Sequence, residues 1–361
     1  MLRVAIAGGG TGGHLFPGVA LAEELESRAD AQILFLGSEE GLDAKVIPEG
    51  RWRMELLSSP RLRLAPSEIF KSLRGLWRAY RQSRRIFDSW RPDVVVGLGG
   101  FAAAMPVVAA WRIRVPVLLM EQNVLPGRTT RHLARFAAEI DCQFEESLRY
   151  LRGHKAAVTG NPIRRAIREA ALGRRDLSHG VKGKTLLVIG GSQGAKRLNE
   201  LVLEALPHLA GVGRILHVAG ERDYGWVAAG YAGAGVEHRV YPFFEAMEEL
   251  YAEADVVLCR AGATTFSEVA AFGLPSIMVP FPFAKDNHQD LNAEVMARAG
   301  GALKADEKDL DGPKLGGMIS ELASDGDRLA RMARCAGKIA IPDAAARVAG
   351  RVIGLASGGK A

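Results

Sequence analysis

The chain has 361 residues, 48% hydrophobic and 24% charged, with a formal net charge of +6. That is enough for two domains with cores of their own, and it excludes a disordered or fibrous polypeptide. No apolar stretch reaches the roughly 18 residues that a membrane span requires; the longest, residues 101–111, contains Pro106 and is closed by Arg112. Cys142, Cys259 and Cys335 form neither a disulfide framework nor a metal-ligand spacing, which points to a reducing, cytoplasmic setting.

Strand and helix patterns alternate along the chain, the signature of parallel sheets covered by helices. Residues 2–7 read as a strand feeding a turn rather than as a signal peptide. Further strands are predicted at 32–36, 93–97 and 116–119, with helices at 13–28, 67–90 and 127–137. Gly and Pro in Thr159-Gly160-Asn161-Pro162 mark a junction. Beyond it the plan repeats, with strands at 185–189, 214–218, 236–240, 255–259 and 275–279. Helices are predicted at 194–206, 264–272, 288–299 and 315–323, and a last one after Pro342.

Each half opens with a glycine turn between a strand and a helix. The first is Gly8-Gly9-Gly10-Thr11-Gly12-Gly13-His14 and the second Gly190-Gly191-Ser192-Gln193-Gly194-Ala195. Glycine allows close backbone approach, and the helix start behind it offers N–H groups and a positive dipole end to phosphate. Gly8-x-Gly10-x-x-Gly13 also matches the dinucleotide fingerprint, with Glu39 or Glu40 as the ribose acid, so a nicotinamide or flavin enzyme is a rival reading. Against it stand His14 at the mouth of the helix and the second glycine turn.

Residues 61–91 carry nine basic residues against Glu68 and Asp88, interleaved with Leu73, Trp77, Tyr80, Phe87, Trp90 and other apolar residues. Such a segment is either an amphipathic helix with a solvated basic face or a patch that docks on anionic lipid. Without a nucleic-acid motif, nucleic acid ranks last. Gly97-Leu98-Gly99-Gly100-Phe101 is a third glycine turn, and Met120-Glu121-Gln122-Asn123 follows a strand where ligands bind in such sheets; a tight connection and a helix cap are the plainer alternatives. The densest stretch is Cys259-Arg260-Ala261-Gly262-Ala263-Thr264-Thr265-Phe266-Ser267-Glu268, a helix start suited to a diphosphate. Glu268 about one turn in is a candidate for vicinal ribose hydroxyls. The amide-rich stretch Lys285–Asn292 suits a neutral sugar, or is a surface loop and cap.

Taken together and in order, these stretches resemble the MurG family of glycosyltransferases over nearly the whole chain. The motifs are 9–14 with Phe16-Pro17-Gly18, Gly99-Gly100-Phe101, Glu121-Gln122-Asn123, Gly160-Asn161-Pro162 with Arg164, 190–195, 259–268, and Gln289 with Asn292. The resemblance implies an α/β GT-B fold, two Rossmann-like domains with parallel sheets facing across a cleft. Residues 1–162 with 342–357 would form the acceptor and membrane-associating domain, and 163–341 the donor domain. The implied reaction is inverting transfer of N-acetylglucosamine from UDP-N-acetylglucosamine (UDP-GlcNAc) to the 4-hydroxyl of N-acetylmuramoyl-pentapeptide on undecaprenyl diphosphate, lipid I to lipid II. It implies a peripheral enzyme at the cytoplasmic face of the plasma membrane, no cofactor, no metal, and partners among cell-wall synthesis proteins. Rivals are another GT-B transferase with a lipid acceptor, a UDP-sugar epimerase of that fold, and a non-catalytic membrane scaffold.

By the same resemblance, His14 and Glu268 belong to the catalytic centre, His14 as base or phosphate-orienting group. The donor would meet Thr11, Gly12, Gly13, Asn123, Arg164 by the nucleotide, Ser192, Gln193 and Gly194 at the diphosphate, and Phe244 near the uracil. Arg260, Gly262, Ala263, Thr264, Thr265 and Glu268 complete the nucleotide site, and Gln289 and Asn292 hold the sugar. The acceptor side would comprise Gly10, Thr11, His14, Gly99, Gly100, Phe101 and Asn123. Three positions depart from the family: Met120 where His is frequent, Phe101 for Tyr, and His288 in place of one Gln of a pair. Asp309-Leu310-Asp311 and Asp325-Gly326-Asp327 match the Asp-x-Asp of metal-using transferases only superficially and read as surface charge.

Overall fold

The computed structural model describes residues 1–9, 12–39, 47, 50–58, 66–173, 185–190 and 195–358, with the backbone alone at 12 and 66–71. They fall into two compact units, Met1–Arg165 with Pro342–Ala361, and Ala166–Ile341.

The first unit holds strands β1 (Leu2–Ala7), β2 (Ala31–Ser38), β3 (Arg53–Leu57), β4 (Val94–Gly97), β5 (Val117–Glu121), β6 (Glu139–Cys142) and β7 (Ala156–Val158). All pair in parallel, in the order β3-β2-β1-β4-β5-β6-β7. Its helices are α1 (Gly12–Arg28), α2 (Pro66–Trp90), α3 (Ala104–Arg112), α4 (Arg128–Leu133) and, from the far end of the chain, α13 (Ala344–Gly358). Val4–Ala7 of β1 and all of β4 are buried on both faces, hence the apolar runs there. On one face Leu15, Leu21 and Leu25 of α1 share a core with Val348 and Val352 of α13. Phe87 of α2 and Val107 of α3 join the core on the other face. Each such side chain contributes about 2 kcal/mol by leaving water.

The second unit repeats the scheme with β8 (Thr185–Ile189), β9 (Arg214–Val218), β10 (Glu237–Tyr241), β11 (Val256–Cys259), β12 (Ser276–Met278) and β13 (Ala302–Lys304), ordered β10-β9-β8-β11-β12-β13 and all parallel. Its helices are α5 (Arg165–Gly173), which begins on the last residue of the first unit, α6 (Lys196–Ala205), α7 (Tyr224–Gly230), α8 (Met247–Glu253), α9 (Ala263–Ala271), α10 (His288–Arg298), α11 (Gly312–Ser324) and α12 (Gly326–Lys338). In both sheets the strand order reverses beside the first strand, β1/β4 and β8/β11. In open α/β sheets ligands bind outside the carboxyl ends of the strands at such a switch point.

The structure adds strands that the sequence pattern does not announce: β3, β6, β7 and β13. They are short, and β3, β6 and β13 carry charged residues: Arg53 and Glu55, Glu139 and Asp141, and Lys304. β6, Glu-Ile-Asp-Cys, buries Asp141 beside Arg351 of α13, whose Nε lies 2.5 Å from Asp141 while Nη2 reaches Glu139 at 2.9 Å. Burial raises the Asp141 carboxyl to about 7, with Arg351 acting against the rise.

Candidate active site

In the first unit the glycine turns at the ends of β1 and β4 sit at the switch point. Gly8 has φ +144°, and a Cβ there would lie 2.8 Å from Cβ of Leu98, so only glycine fits. α1 then starts at Gly12, and its first turn carries the half-buried His14. The imidazole rests on the other turn. A methyl group on Gly99 (φ +86°) would sit 3.3 Å from Cδ2 and 3.4 Å from Nε2 of His14. Gly100 follows with φ +71°, and Phe101 opens the short helical turn that leads into α3. Gly13, His14, Gly99 and Gly100 are thus brought together. Gly10 and Thr11 lie outside the described residues, as does the side-chain position at Gly12.

The Glu121-Gln122-Asn123 stretch divides its work. Glu121, at the end of β5, is buried. It accepts from Asn123 N–H at 3.0 Å and from Gly127 N–H at 2.9 Å, and Thr130 also bonds to it. Burial raises its pKa, and these hydrogen bonds oppose the rise. Gln122 donates through Nε2 to the Leu98 carbonyl at 3.1 Å, tying this loop to the one beneath His14. Asn123 is half-buried beside them, its carbonyl held by Ser147 Oγ at 3.0 Å. Glu121 and Gln122 therefore shape the loop, and the Asn123 side chain adds a longer bond to it, Nδ2 to Glu121 Oε1 at 3.4 Å. Met120 is 3% exposed and part of the core. The departure from His at that position consequently adds core packing, not a polar group. After β7, Gly160 (φ +84°) turns the chain toward Arg164, whose guanidinium lies 4.9 Å from the Phe16 ring of α1.

In the second unit Ser192, Gln193 and Gly194 of the β8 turn lie outside the described residues. The other half of that switch point is well defined. β11 ends at Cys259, and Gly262 is the N-cap of α9 with no side-chain cap of its own. Ala263, Thr264 and Thr265 form the first turn, where helix N–H groups and the dipole favour an anion. Glu268 is 6% exposed on the same helix and accepts from Tyr251 Oη at 2.8 Å. Phe244, just past β10, packs edge-on against Tyr241, ring centroids 4.7 Å apart.

The amide-rich segment starts α10 under backbone strain, since Asp286 (φ 53°) and Asn287 (φ 55°) are both left-handed. Its hydrogen bonds fix the polarity each side chain offers. Gln289 Oε1 accepts from Phe281 N–H at 2.9 Å, so its amide NH₂ is the end turned to other partners. Asn292 Nδ2 donates to the Ala261 carbonyl at 3.2 Å, which leaves its oxygen as the acceptor end. His288 Nδ1 faces the Lys285 carbonyl at 2.7 Å, a contact that requires the proton on Nδ1 and turns Nε2 outward. Lys304 pairs with Asp290 at 2.6 Å, removing that charge from the segment.

Arg260 is held by neighbouring groups of its own unit. Its Nη1 donates to the carbonyls of Val279 and Pro280, at 3.2 and 3.3 Å, and its Nη2 pairs with Glu307. The guanidinium also lies 5.5 Å from the Phe281 ring. It binds the Pro280–Phe283 loop to the end of β11 rather than standing as an open cation. The sequence gives no sign of its partner Glu307, or of Tyr251. The Asp-x-Asp pairs act locally: Asp311 caps α11 through Lys314 N–H and Asp325 caps α12 through Arg328 N–H, both at 2.8 Å.

Comparison with known proteins places this geometry. The glycosyltransferase family 28 N-terminal domain matches residues 4–141, and the glycosyltransferase family 28 C-terminal domain matches residues 185–348. A relative from Anaeromyxobacter sp. (strain Fw109-5) is 44% identical over 353 residues, covering 96% of this chain and 92% of its own. It is named UDP-N-acetylglucosamine–N-acetylmuramyl-(pentapeptide) pyrophosphoryl-undecaprenol N-acetylglucosamine transferase. One of the same name from Pelobacter propionicus is 42% identical, covering 95% of this chain and 97% of its own. The crystal structure of Acinetobacter baumannii MurG superposes with a TM-score of 0.79 at 30% identity, covering 98% of this chain and 99% of that one. Phytolacca americana UGT2 shares the fold with a TM-score of 0.71 at 16% identity. The chain belongs to glycosyltransferase family 28, in its MurG branch.

Proposed function

We propose that this chain transfers N-acetylglucosamine from UDP-GlcNAc to the 4-hydroxyl of the N-acetylmuramoyl-pentapeptide on undecaprenyl diphosphate. The observation that carries this reading is full-length similarity to transferases of that name, at 42–44% identity. Polar residues at the carboxyl ends of the strands, His14 and Asn123 in one unit and Glu268 and Gln289 in the other, support it.

The first unit is the acceptor domain in this reading and the second the donor domain. The acceptor 4-hydroxyl attacks the anomeric carbon as the bond to the UDP β-phosphate oxygen breaks, and the new link is β. His14 takes the hydroxyl proton, a task for which an imidazole has a suitable pKa. Gly99 and Gly100 support its ring, and Asn123 lies on the acceptor side. The leaving diphosphate is met by backbone N–H groups of the 190–195 turn and the start of α9. Glu268 holds the ribose, Phe244 neighbours the uracil and Arg164 the nucleotide. Gln289 donates to a sugar hydroxyl and Asn292 accepts from one. Arg260 contributes by fixing the loop that carries Phe281 and, through it, Gln289.

A membrane-anchored acceptor requires the enzyme at a lipid surface. Among the described residues no helix is long and apolar enough to cross a membrane. α2 instead turns Ala79, Ser83 and Phe87 inward, while Leu73 (54% exposed) and Trp77 (56%) stand outside among Arg74, Arg78, Arg81 and Arg85. Arg81 lies over the Trp77 ring at 4.6 Å. Apolar side chains within a basic face suit peripheral docking on anionic lipid at the cytoplasmic leaflet.

The primary test is transfer of labelled N-acetylglucosamine from UDP to a lipid I analogue; no product would overturn the proposal. His14→Ala should lower turnover at least 100-fold with UDP binding retained, and turnover within a few-fold of wild type would remove the base assignment. Activity should persist in excess EDTA; a strict divalent-metal requirement would contradict diphosphate stabilisation by backbone and dipoles. Liposome flotation should recover more protein on anionic than on neutral vesicles, and equal recovery would eliminate the electrostatic part of docking.

A further inference from the structure

Glu268 presents a positioning problem. A carboxylate that holds two vicinal hydroxyls must turn both oxygens toward them, yet a glutamate side chain has three torsions to fix. Burial at 6% exposure narrows the choice but also penalises the charged form. Helix α9 sets the direction of the Cα–Cβ bond and nothing further out.

One constraint on the carboxylate comes from another helix. Tyr251 on α8 is 1% exposed, and its hydroxyl donates to Oε2 of Glu268 at 2.8 Å. The phenol is itself immobilised: its ring lies against Phe272, just past the end of α9, with centroids 5.3 Å apart and planes at 35°. Tyr251 and Phe272 therefore lock α8 to α9 while the hydroxyl meets the carboxylate between them. Each carboxylate oxygen can accept two hydrogen bonds, so the tyrosine uses one lone pair of Oε2 and does not compete with a diol spanning both oxygens.

We propose that Tyr251 is the positioning residue for Glu268: its buried hydroxyl fixes the carboxylate plane that receives the ribose 2′- and 3′-hydroxyls of the donor nucleotide. This rests on the reading of Glu268 as the ribose-binding group. Tyr251 touches no substrate; it acts through the glutamate.

The test compares UDP with 2′,3′-dideoxy-UDP, binding measured by calorimetry for the full chain, Tyr251→Phe, Glu268→Gln and the double variant. Tyr251→Phe keeps the ring and its contact with Phe272, removing one oxygen. It should weaken UDP about ten-fold while leaving dideoxy-UDP within two-fold of wild type. Glu268→Gln should weaken UDP at least as much, and the double variant should be no worse than Glu268→Gln alone. In turnover, Tyr251→Phe should raise the KM for UDP-GlcNAc with kcat little changed. Equal losses for the two nucleotides would make Tyr251 merely structural and overturn the inference. So would unchanged UDP affinity in Tyr251→Phe when Glu268→Gln is impaired. If Glu268→Gln itself binds UDP as wild type does, the ribose reading of Glu268 fails and the inference with it.

Discussion

The second unit contains a histidine that cannot take a proton without breaking its surroundings. His217 on β9 is fully buried; Nδ1 lies 2.9 Å from Tyr231 Oη and Nε2 lies 3.0 Å from Asn199 Oδ1. Asn199 Nδ2 donates to the Ala219 carbonyl and to Asp223 Oδ2, so its oxygen must be the group facing the imidazole. Nε2 then carries the proton, and Nδ1 accepts from the tyrosine. Neutral imidazole satisfies that chain at both nitrogens, and burial pushes the His217 pKa down to about 3 from an ordinary value of 6.5. The sign follows. Above pH 6.5 both folded and unfolded chains hold the neutral form. Between 6.5 and 3 only the unfolded chain binds the proton, so stability is lost as pH falls. At pH 5 the loss is about 1.5 pKa units, or about 2 kcal/mol. A domain of this size loses about 2–4 °C in Tm per kcal/mol, so the second unit's transition should fall by about 4–8 °C. Calorimetric unfolding of wild type and His217→Gln at pH 7.5 and 5.0 isolates the effect, because other titrating groups cancel in the comparison. Wild type should lose about 2 kcal/mol more than the variant over that interval. Imidazole NMR signals of His217 should stay unchanged down to pH 4.5. Equal pH slopes in the two proteins, or an imidazole titrating near pH 6, would refute the reasoning.

The first unit should slope the other way. Asp141 has a raised pKa, so its contribution is present below 3.8 and is lost as pH rises through about 7. Asp141→Asn should therefore flatten the pH dependence of that unit's transition by about 2–3 kcal/mol between pH 5 and 7.5, as read by calorimetry. Glu307→Gln leaves the guanidinium of Arg260, 9% exposed, without its carboxylate. Breaking a buried pair from one side costs about 3–5 kcal/mol, so the second unit should melt at least about 6 °C lower. Gly99→Ala places a side chain at φ +86° and 3.3 Å from His14. The left-handed backbone costs about 1–2 kcal/mol, and turnover should drop more than ten-fold while calorimetric UDP affinity stays within two-fold of wild type.

What the sequence reveals and what it hides follow from the range of the forces involved. The glycine turns, the helix starts behind them and the central strands are local: β1, β4, β8 and β11 are mostly apolar because both faces are covered, and each ends at, or is followed by, a glycine or small residue where the chain turns. That is enough to place His14, Gly99–Gly100, Asn123 and the 260–268 helix start at carboxyl ends of strands, and to recognise the family. The groups that hold those residues in position are not local. Tyr251 stands 17 residues before Glu268, and Glu307 stands 47 after Arg260; neither sits at a spacing with meaning along one helix or strand. Asp141 hides β6 because an acid in a short strand reads as a surface residue until Arg351 arrives from α13. Nothing in the sequence tells a cation that meets a ligand from one paired with a distant carboxylate, as Arg260 is with Glu307. The residues presented to substrate are thus encoded next to their own turns, whereas their orientation depends on partners that only the completed sheet brings within reach. Glu268 illustrates the division. Its place on α9 can be read from ten consecutive residues, but the plane of its carboxylate depends on a tyrosine from the preceding helix and a phenylalanine beyond the helix end.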